Sequence, residues 1–184
     1  MFTIRQDRRL RGKSMNSFRL LSASAIALLG VALLADDAGA QQQPLREQLI
    51  GTWLAVSVVT AHQDGTKIES FGPNVKGMQI FDSNGRVVIV LMRSDLPKFV
   101  SNNRETGTAE ENKAVVQGSS TLFGTYSVDE AAKSVSIQID AATFPNWTGT
   151  TQKRIIAISG DELTVTGFTG TLGGAPVSKW KRVK

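Results

Sequence analysis

From Leu49 onward the chain runs in short apolar stretches broken by turn residues. Residues 52–61 are rich in Val and Thr, which suit a pleated surface, and Gln63-Asp64-Gly65 marks a turn after them. Residues 77–81 predict a second strand and Arg86–Met92 its hairpin partner. Between them, Asp82-Ser83-Asn84-Gly85 is a strong hairpin turn, because Asn-Gly tolerates the positive φ of a tight reversal. After a long connection over 94–107 the pattern changes. Thr108-Ala109-Glu110-Glu111 has the spacing of a capping box, so a short helix is predicted to about Gln117, stopped at Gly118. Strands resume over 121–128, 134–141, 150–159, 162–168 and 177–183. Gly160-Asp161 forms another tight turn, and 170–174 a flexible loop.

This reading gives eight strands and one helix, with no internal repeat. Short strands at near-regular spacing predict an all-β sandwich or closed barrel. An eight-stranded antiparallel barrel has room for side chains or one small ligand. The helix between the third and fourth strands is placed to cap one mouth.

The first 40 residues read differently. Arg5, Arg8, Arg9, Arg11, Lys13 and Arg19 form a basic region. Residues 20–35 are a charge-free run of 16, followed by Ala38-Gly39-Ala40. That order predicts a signal peptide over residues 1–40, with Met15 as an alternative start. The run falls short of the roughly 20 apolar residues a membrane span needs, and Asp36 and Asp37 end it. No stable membrane anchor is expected after cleavage, and the localisation expected is periplasmic or secreted. Residues 41–48, polar and containing Pro44, read as a tether that can begin a helical turn. Residues 49–184 read as the barrel domain.

Composition narrows the chemistry. The chain has no Cys, which excludes disulfides, thiolate metal sites and Cys nucleophiles, and its single His, His62, makes a multi-His centre improbable. His62 reads as a solvated loop residue. The formal net charge is +5, but six of the 21 Lys+Arg and three of the 16 Asp+Glu precede Gln41, which leaves 15 against 13. The basic residues Lys179, Lys181, Arg182 and Lys184 alternate with Trp180 and Val183, as the face of a last strand does. No dense basic patch predicts a nucleic-acid partner.

The residues resemble a known group. Gly51-Thr52-Trp53 opens the first strand, as the G-x-W element does in lipocalins. The set as a whole resembles the bacterial and fungal lipocalin-like domain family, a calycin-type barrel. It comprises Leu49-Ile50-Gly51-Thr52-Trp53, Asp82-Ser83-Asn84-Gly85-Arg86, Phe123-Gly124-Thr125-Tyr126-Ser127-Val128, the motif from Pro145 to Arg154, and Trp180 with Arg182. The resemblance implies an eight-stranded antiparallel lipocalin-like barrel with one short helix. It implies a small hydrophobic ligand in the lumen and no cofactor. Many members carry His in the strand before the Pro-x-Trp motif, where this chain has Ser136-Ile137-Gln138, so no acid/base His carries over.

In lipocalins an Arg of the last strand lies over the G-x-W Trp and closes the barrel floor, which implies that role for Arg182 over Trp53. Gln152 and Arg154 are two apart on a strand and share a face. If that face is inward, the pair suits a ligand carboxylate, carbonyl or phenol; the alternatives are a surface Arg154 on an edge strand, or an inward Arg154 held by a protein carboxylate such as Asp140. Tyr126, the single Tyr, is a candidate lumen hydroxyl or a core aromatic whose hydroxyl reaches the rim. Trp147 is a candidate pocket wall, and Met92, at a strand end, a candidate gap-filler.

The function expected is therefore binding of a small hydrophobic molecule, without metal or cofactor. A cofactor-free isomerase or cyclase is the alternative, with Arg154 stabilising negative charge and Tyr126 giving a proton. A scaffold presenting an exposed apolar patch is a third reading. The sequence carries no sign of oligomeric state.

Overall fold

The computed structural model describes residues 43–167 and 174–184. The expected leader at 1–40, and all but Gly174 of the expected loop at 170–174, lie outside the described residues. The order is α1 (Leu45–Leu49), β1 (Gly51–Ala61), β2 (Lys67–Glu69), β3 (Lys76–Phe81), β4 (Arg86–Met92), α2 (Ala109–Gly118), β5 (Ser119–Asp129) and β6 (Ser134–Ala142). A 3₁₀ turn (Pro145–Trp147), β7 (Thr151–Ser159), β8 (Glu162–Gly167) and β9 (Ala175–Arg182) complete it.

From β3 to β9 each strand pairs antiparallel with the next, and β1 pairs with both β3 and β9, so the sheet closes. β3 covers the start of β1 and β2 its end, so the two share one position in an eight-position barrel. The eight predicted strands are all present. β2 is an addition: its three residues, Lys67, Ile68 and Glu69, are all exposed, so neither length nor alternation marks them.

Two irregularities bend the wall. Val56 is an extra residue of β1 against β9, and Asp140 an extra residue of β6 against β5. At the second bulge a Cβ on Gly124 would lie 1.9 Å from the Gln138 carbonyl oxygen, so only glycine fits. At the β3–β4 turn Gly85 alone takes the positive φ, 84°, while its N–H donates to the Asp82 carbonyl at 3.2 Å.

One end is filled. Trp53 is fully buried and its Nε1–H donates to the Leu49 carbonyl at 2.9 Å. The Arg182 guanidinium carbon lies 4.0 Å from the Trp53 ring centroid, and its N–H groups donate to the carbonyls of Ile50, at 2.9 Å, and Gln48. The expected closing pair is thus in place. The helical turn allowed for in the tether is α1, which plugs this end. Its Leu45 and Arg46 N–H groups donate to the Glu130 carboxylate at 2.7 and 3.0 Å, and Leu49 is fully buried. Phe81 and Tyr126 complete the plug, edge to face at 5.0 Å.

At the other end the predicted capping box forms. The Glu111 N–H donates to Thr108 Oγ1 at 3.2 Å, and the Thr108 N–H to Glu111 Oε2 at 2.8 Å. The second oxygen of the same carboxylate accepts the Val100 N–H at 2.8 Å, which ties the long connection to the start of α2. These two backbone bonds hold the Glu111 carboxyl below its ordinary value of 4.5.

Outward positions are not uniformly polar. Leu54 and Met78 are register partners, and Ile80, Val88 and Phe123 form the next row; all are 39–49% exposed.

Replacing Trp53 by Ala removes the stacked ring and its hydrogen bond together. Urea unfolding should show a loss of about 3–5 kcal/mol, and a loss near zero would contradict the floor assignment. Because the folded pKa of Glu111 is depressed, its contribution is complete above the ordinary value and is lost as pH falls through the lowered one. Amide exchange should show Val100 and Thr108 losing protection in acid before the barrel strands do. Glu111→Gln should produce that loss at neutral pH.

Candidate functional site

The end opposite α1 opens into a cavity of about 790 Å³. That is within the 300–1,000 Å³ typical of small-molecule sites. Strand parity decides which side chains reach it. On β7, Gln152, Arg154 and Ile156 face inward while Lys153 and Ile155 face outward. On β9, Pro176, Ser178 and Trp180 share the inner face with Arg182. Ile89 and Leu91 of β4, Leu122 of β5 and Val165 of β8 supply apolar wall. The C-terminal turn of α2 contributes Val116 and Gln117, so the helix lies at the mouth as its sequence position predicted.

Two of the expected ligand residues come together. The Arg154 Nη2–H donates to Gln152 Oε1 at 2.9 Å, and both side chains line the cavity. Burial alone draws the Arg154 pKa down to about 10, so the guanidinium remains charged at neutral pH. The carboxylate considered for it, Asp140, faces outward and pairs with Arg86 at 2.8 Å. Lys153 also touches the cavity, but its ammonium lies 3.9 Å from Asp129. Trp147 lines the cavity too. The 3₁₀ turn holds it with its ring edge to face with Phe144 at 5.4 Å.

Two expected residues are elsewhere. The Tyr126 ring is 7% exposed and its O–H donates to the Asp82 carbonyl at 2.7 Å, in the plugged end. Its strand parity is inward, as read, but its level along the barrel axis places it below the cavity. Burial raises its pKa, which keeps the phenol neutral. Met92 is 41% exposed and does not line the cavity; Leu91, one residue earlier, takes the inward position. His62, expected as solvated, is half-buried and outside the lining, with no hydrogen-bond partner for Nε2 among the described residues.

Sequence reasoning missed Trp180, Ser178, Phe71 and Phe144 as lining residues. The signal for the first two was available. Once Arg182 is placed over Trp53, period-two alternation puts Trp180 and Ser178 on the same inner face. The Trp180 Nε1–H donates to Ser178 Oγ at 2.8 Å, so the indole's polar edge is satisfied within its own strand. Phe71 and Phe144 come from connections and carried no periodicity.

Among the described residues no group of three or more His, Cys, Asp or Glu is placed to hold a metal ion. No described helix is long and apolar enough to cross a membrane.

Comparison with known proteins agrees with this architecture. The sequence model of the lipocalin-like domain matches residues 50–175. No curated protein matches the chain. Among solved structures, the chain is similar to a lipocalin-like protein from Bacteroides uniformis, at 18% identity and a TM-score of 0.40. That match covers 73% of this chain and 98% of the other. It is also similar to two variants of the fluorescent protein UnaG, both at 11% identity, with TM-scores of 0.36 and 0.35. Those cover 75% and 74% of this chain and 98% and 97% of theirs. TM-scores this low carry no argument, and the assignment rests on the sequence model, which spans most of the barrel from the residue before β1 to the first residue of β9: the chain belongs to the lipocalin-like domain family.

Proposed function

We propose that this protein is a periplasmic or secreted binding protein that holds one small hydrophobic molecule in the barrel lumen. The observation that carries the reading is the cavity of about 790 Å³, walled by Ile89, Leu91, Leu122, Val165 and Trp180, at the end opposite the α1 plug. Burial of a ligand's apolar surface there supplies about 25 cal/mol per Å² removed from water. Trp147 and Phe144 form an aromatic edge at the mouth, and α2 supplies a polar rim through Gln117. The periplasmic or secreted location rests on the basic region, apolar run and Ala38-Gly39-Ala40 of the leader.

The isomerase or cyclase reading offers Arg154 to stabilise negative charge and Tyr126 as a proton donor. The Tyr126 O–H donates a hydrogen bond to the Asp82 carbonyl in the plugged end, so Tyr126 is not placed to serve as that donor.

Nile red, a neutral apolar dye, should enter the lumen of the 184-residue chain with one-to-one stoichiometry and brighten. Ser120→Trp, which sets an indole in the cavity, should weaken the dye by tenfold or more in a fluorescence titration. Unchanged binding in that variant would move the dye to the outer row of Leu54, Met78, Ile80, Val88 and Phe123 and defeat the lumen reading. Expression of the whole chain in a Gram-negative host, followed by N-terminal sequencing of the periplasmic fraction, should give Gln41 as first residue. Retention of residues 1–40 in the cytoplasm would remove the location from the proposal.

A further inference from the structure

We propose that the lumen selects an apolar molecule bearing one carboxylate, with the carboxylate seated on the Arg154 guanidinium and the apolar body against Trp180 and the β-strand wall. This deepens the binding reading above and rests on it.

Arg154 sits in the middle of the barrel wall, between Val135 of β6 and Gly167 of β8. Its side chain points in, and its single protein acceptor among the described residues is the neutral amide oxygen of Gln152, two residues away on its own strand. A guanidinium has five N–H donors, so most of the fork is left for another partner. Among the described residues, none that lines the cavity is Asp or Glu. The carboxylates closest in the pairing pattern are committed outside it, Asp140 to Arg86 at 2.8 Å and Asp129 towards Lys153 at 3.9 Å. Burial without a counter-charge is what lowers the Arg154 pKa, since desolvation is its sole cause.

A cation taken out of water is costly unless an anion meets it. Here the described wall supplies the cation and no anion, and the proposed ligand brings the complement. One charge facing an apolar lumen is neutralised by a monoanion. A phosphate monoester, close to a dianion at neutral pH, would bring one uncompensated charge into the same wall. A planar carboxylate also matches two parallel N–H groups of a guanidinium. The hydroxyls of Thr60 and Ser70 bond each other at 2.7 Å, and the Ser119 hydroxyl donates to the Val115 carbonyl at 2.7 Å. Much of the remaining lining polarity is therefore already paired, which leaves Arg154 as the strongest free donor set in the lumen.

The test uses a matched pair, pyrenebutyrate and its methyl ester, which share a ring system and differ in charge. With the 184-residue chain, fluorescence titration should show the acid binding at least tenfold more tightly than the ester. Arg154→Met should remove that preference while leaving the ester's affinity within about threefold. Thermal unfolding of Arg154→Met should show no loss of stability, because the replacement deletes a half-buried charge rather than a structural contact. Should that variant not fold, the acid-to-ester ratio of the unsubstituted chain, together with Arg154→Lys, still decides the matter. Equal binding of acid and ester overturns the carboxylate assignment and leaves the lumen reading standing. Binding of neither, with Nile red also excluded, overturns the lumen reading itself. Displacement of pyrenebutyrate by dodecyl phosphate at lower concentration than by dodecanoate would reassign the anion and overturn the proposal.

Discussion

Closure of the sheet between β1 and β9 is the constraint on which the rest of the structure depends. Register pairs run from Trp53 opposite Arg182 to Ala61 opposite Ala175, so neither strand is left as a long free edge. The junction is fastened at one end by Arg182, whose planar cation lies on the Trp53 ring while its N–H groups take the carbonyls of Ile50 and Gln48. Those carbonyls belong to α1 itself, at Gln48, and to the residue that follows it, Ile50. One side chain therefore joins the last strand, the first strand and the plug. Filling that end with Leu49, Trp53, Phe81 and Tyr126 forces any cavity towards the other end, where the inward positions of β9, β1 and β5 carry Ser178, Thr60 and Ser120. The site is the space that this asymmetric packing leaves.

Much of that architecture was legible because the chain punctuates its strands with turn residues. Asp82-Ser83-Asn84-Gly85 set the β3–β4 hairpin, and Thr108 with Glu111 set the start of α2. Alternation was a weaker guide. β4 reads Arg-Val-Val-Ile-Val-Leu-Met, almost continuously apolar, because its outward Val88 and Met92 are as hydrophobic as its inward Val87, Ile89 and Leu91. A sequence can identify such a run as a strand without showing which face is which. Met92 was misassigned for that reason. β2 was invisible for the opposite reason, being three residues long, exposed throughout and paired at the end of β1.

The site was legible to the depth that parity reaches. Parity puts Gln152 with Arg154, and it puts Tyr126 with Leu122, on inner faces. It does not give height along the barrel axis. Leu122 borders the cavity while Tyr126, four residues later on the same face, lies in the plug with its hydroxyl on Asp82. Height depends on the stagger between strands, and stagger is fixed here by two bulges, at Val56 and Asp140, that no local pattern marks. The one trace of the second is Gly124, whose missing side chain makes room for the Gln138 carbonyl. The mouth was less legible still, because Phe71, Phe144 and Trp147 come from connections whose geometry is tertiary.

Arg182 and Arg154 show how one residue type separates into structure and site. Both point inward, and both lie among aromatic and aliphatic side chains. Arg182 directs its donors at the main-chain carbonyls of Ile50 and Gln48 and its face at Trp53, so the fold itself completes it. Arg154 directs one donor at a neighbouring amide and is met by no carboxylate among the described residues. An apolar residue of similar volume at position 154 would cost the barrel less desolvation and would keep the same strand pairing. Nothing in the packing of β6, β7 and β8 calls for a cation there. The proposed carboxylate ligand would account for its place in the wall, as the closing of the floor accounts for the place of Arg182.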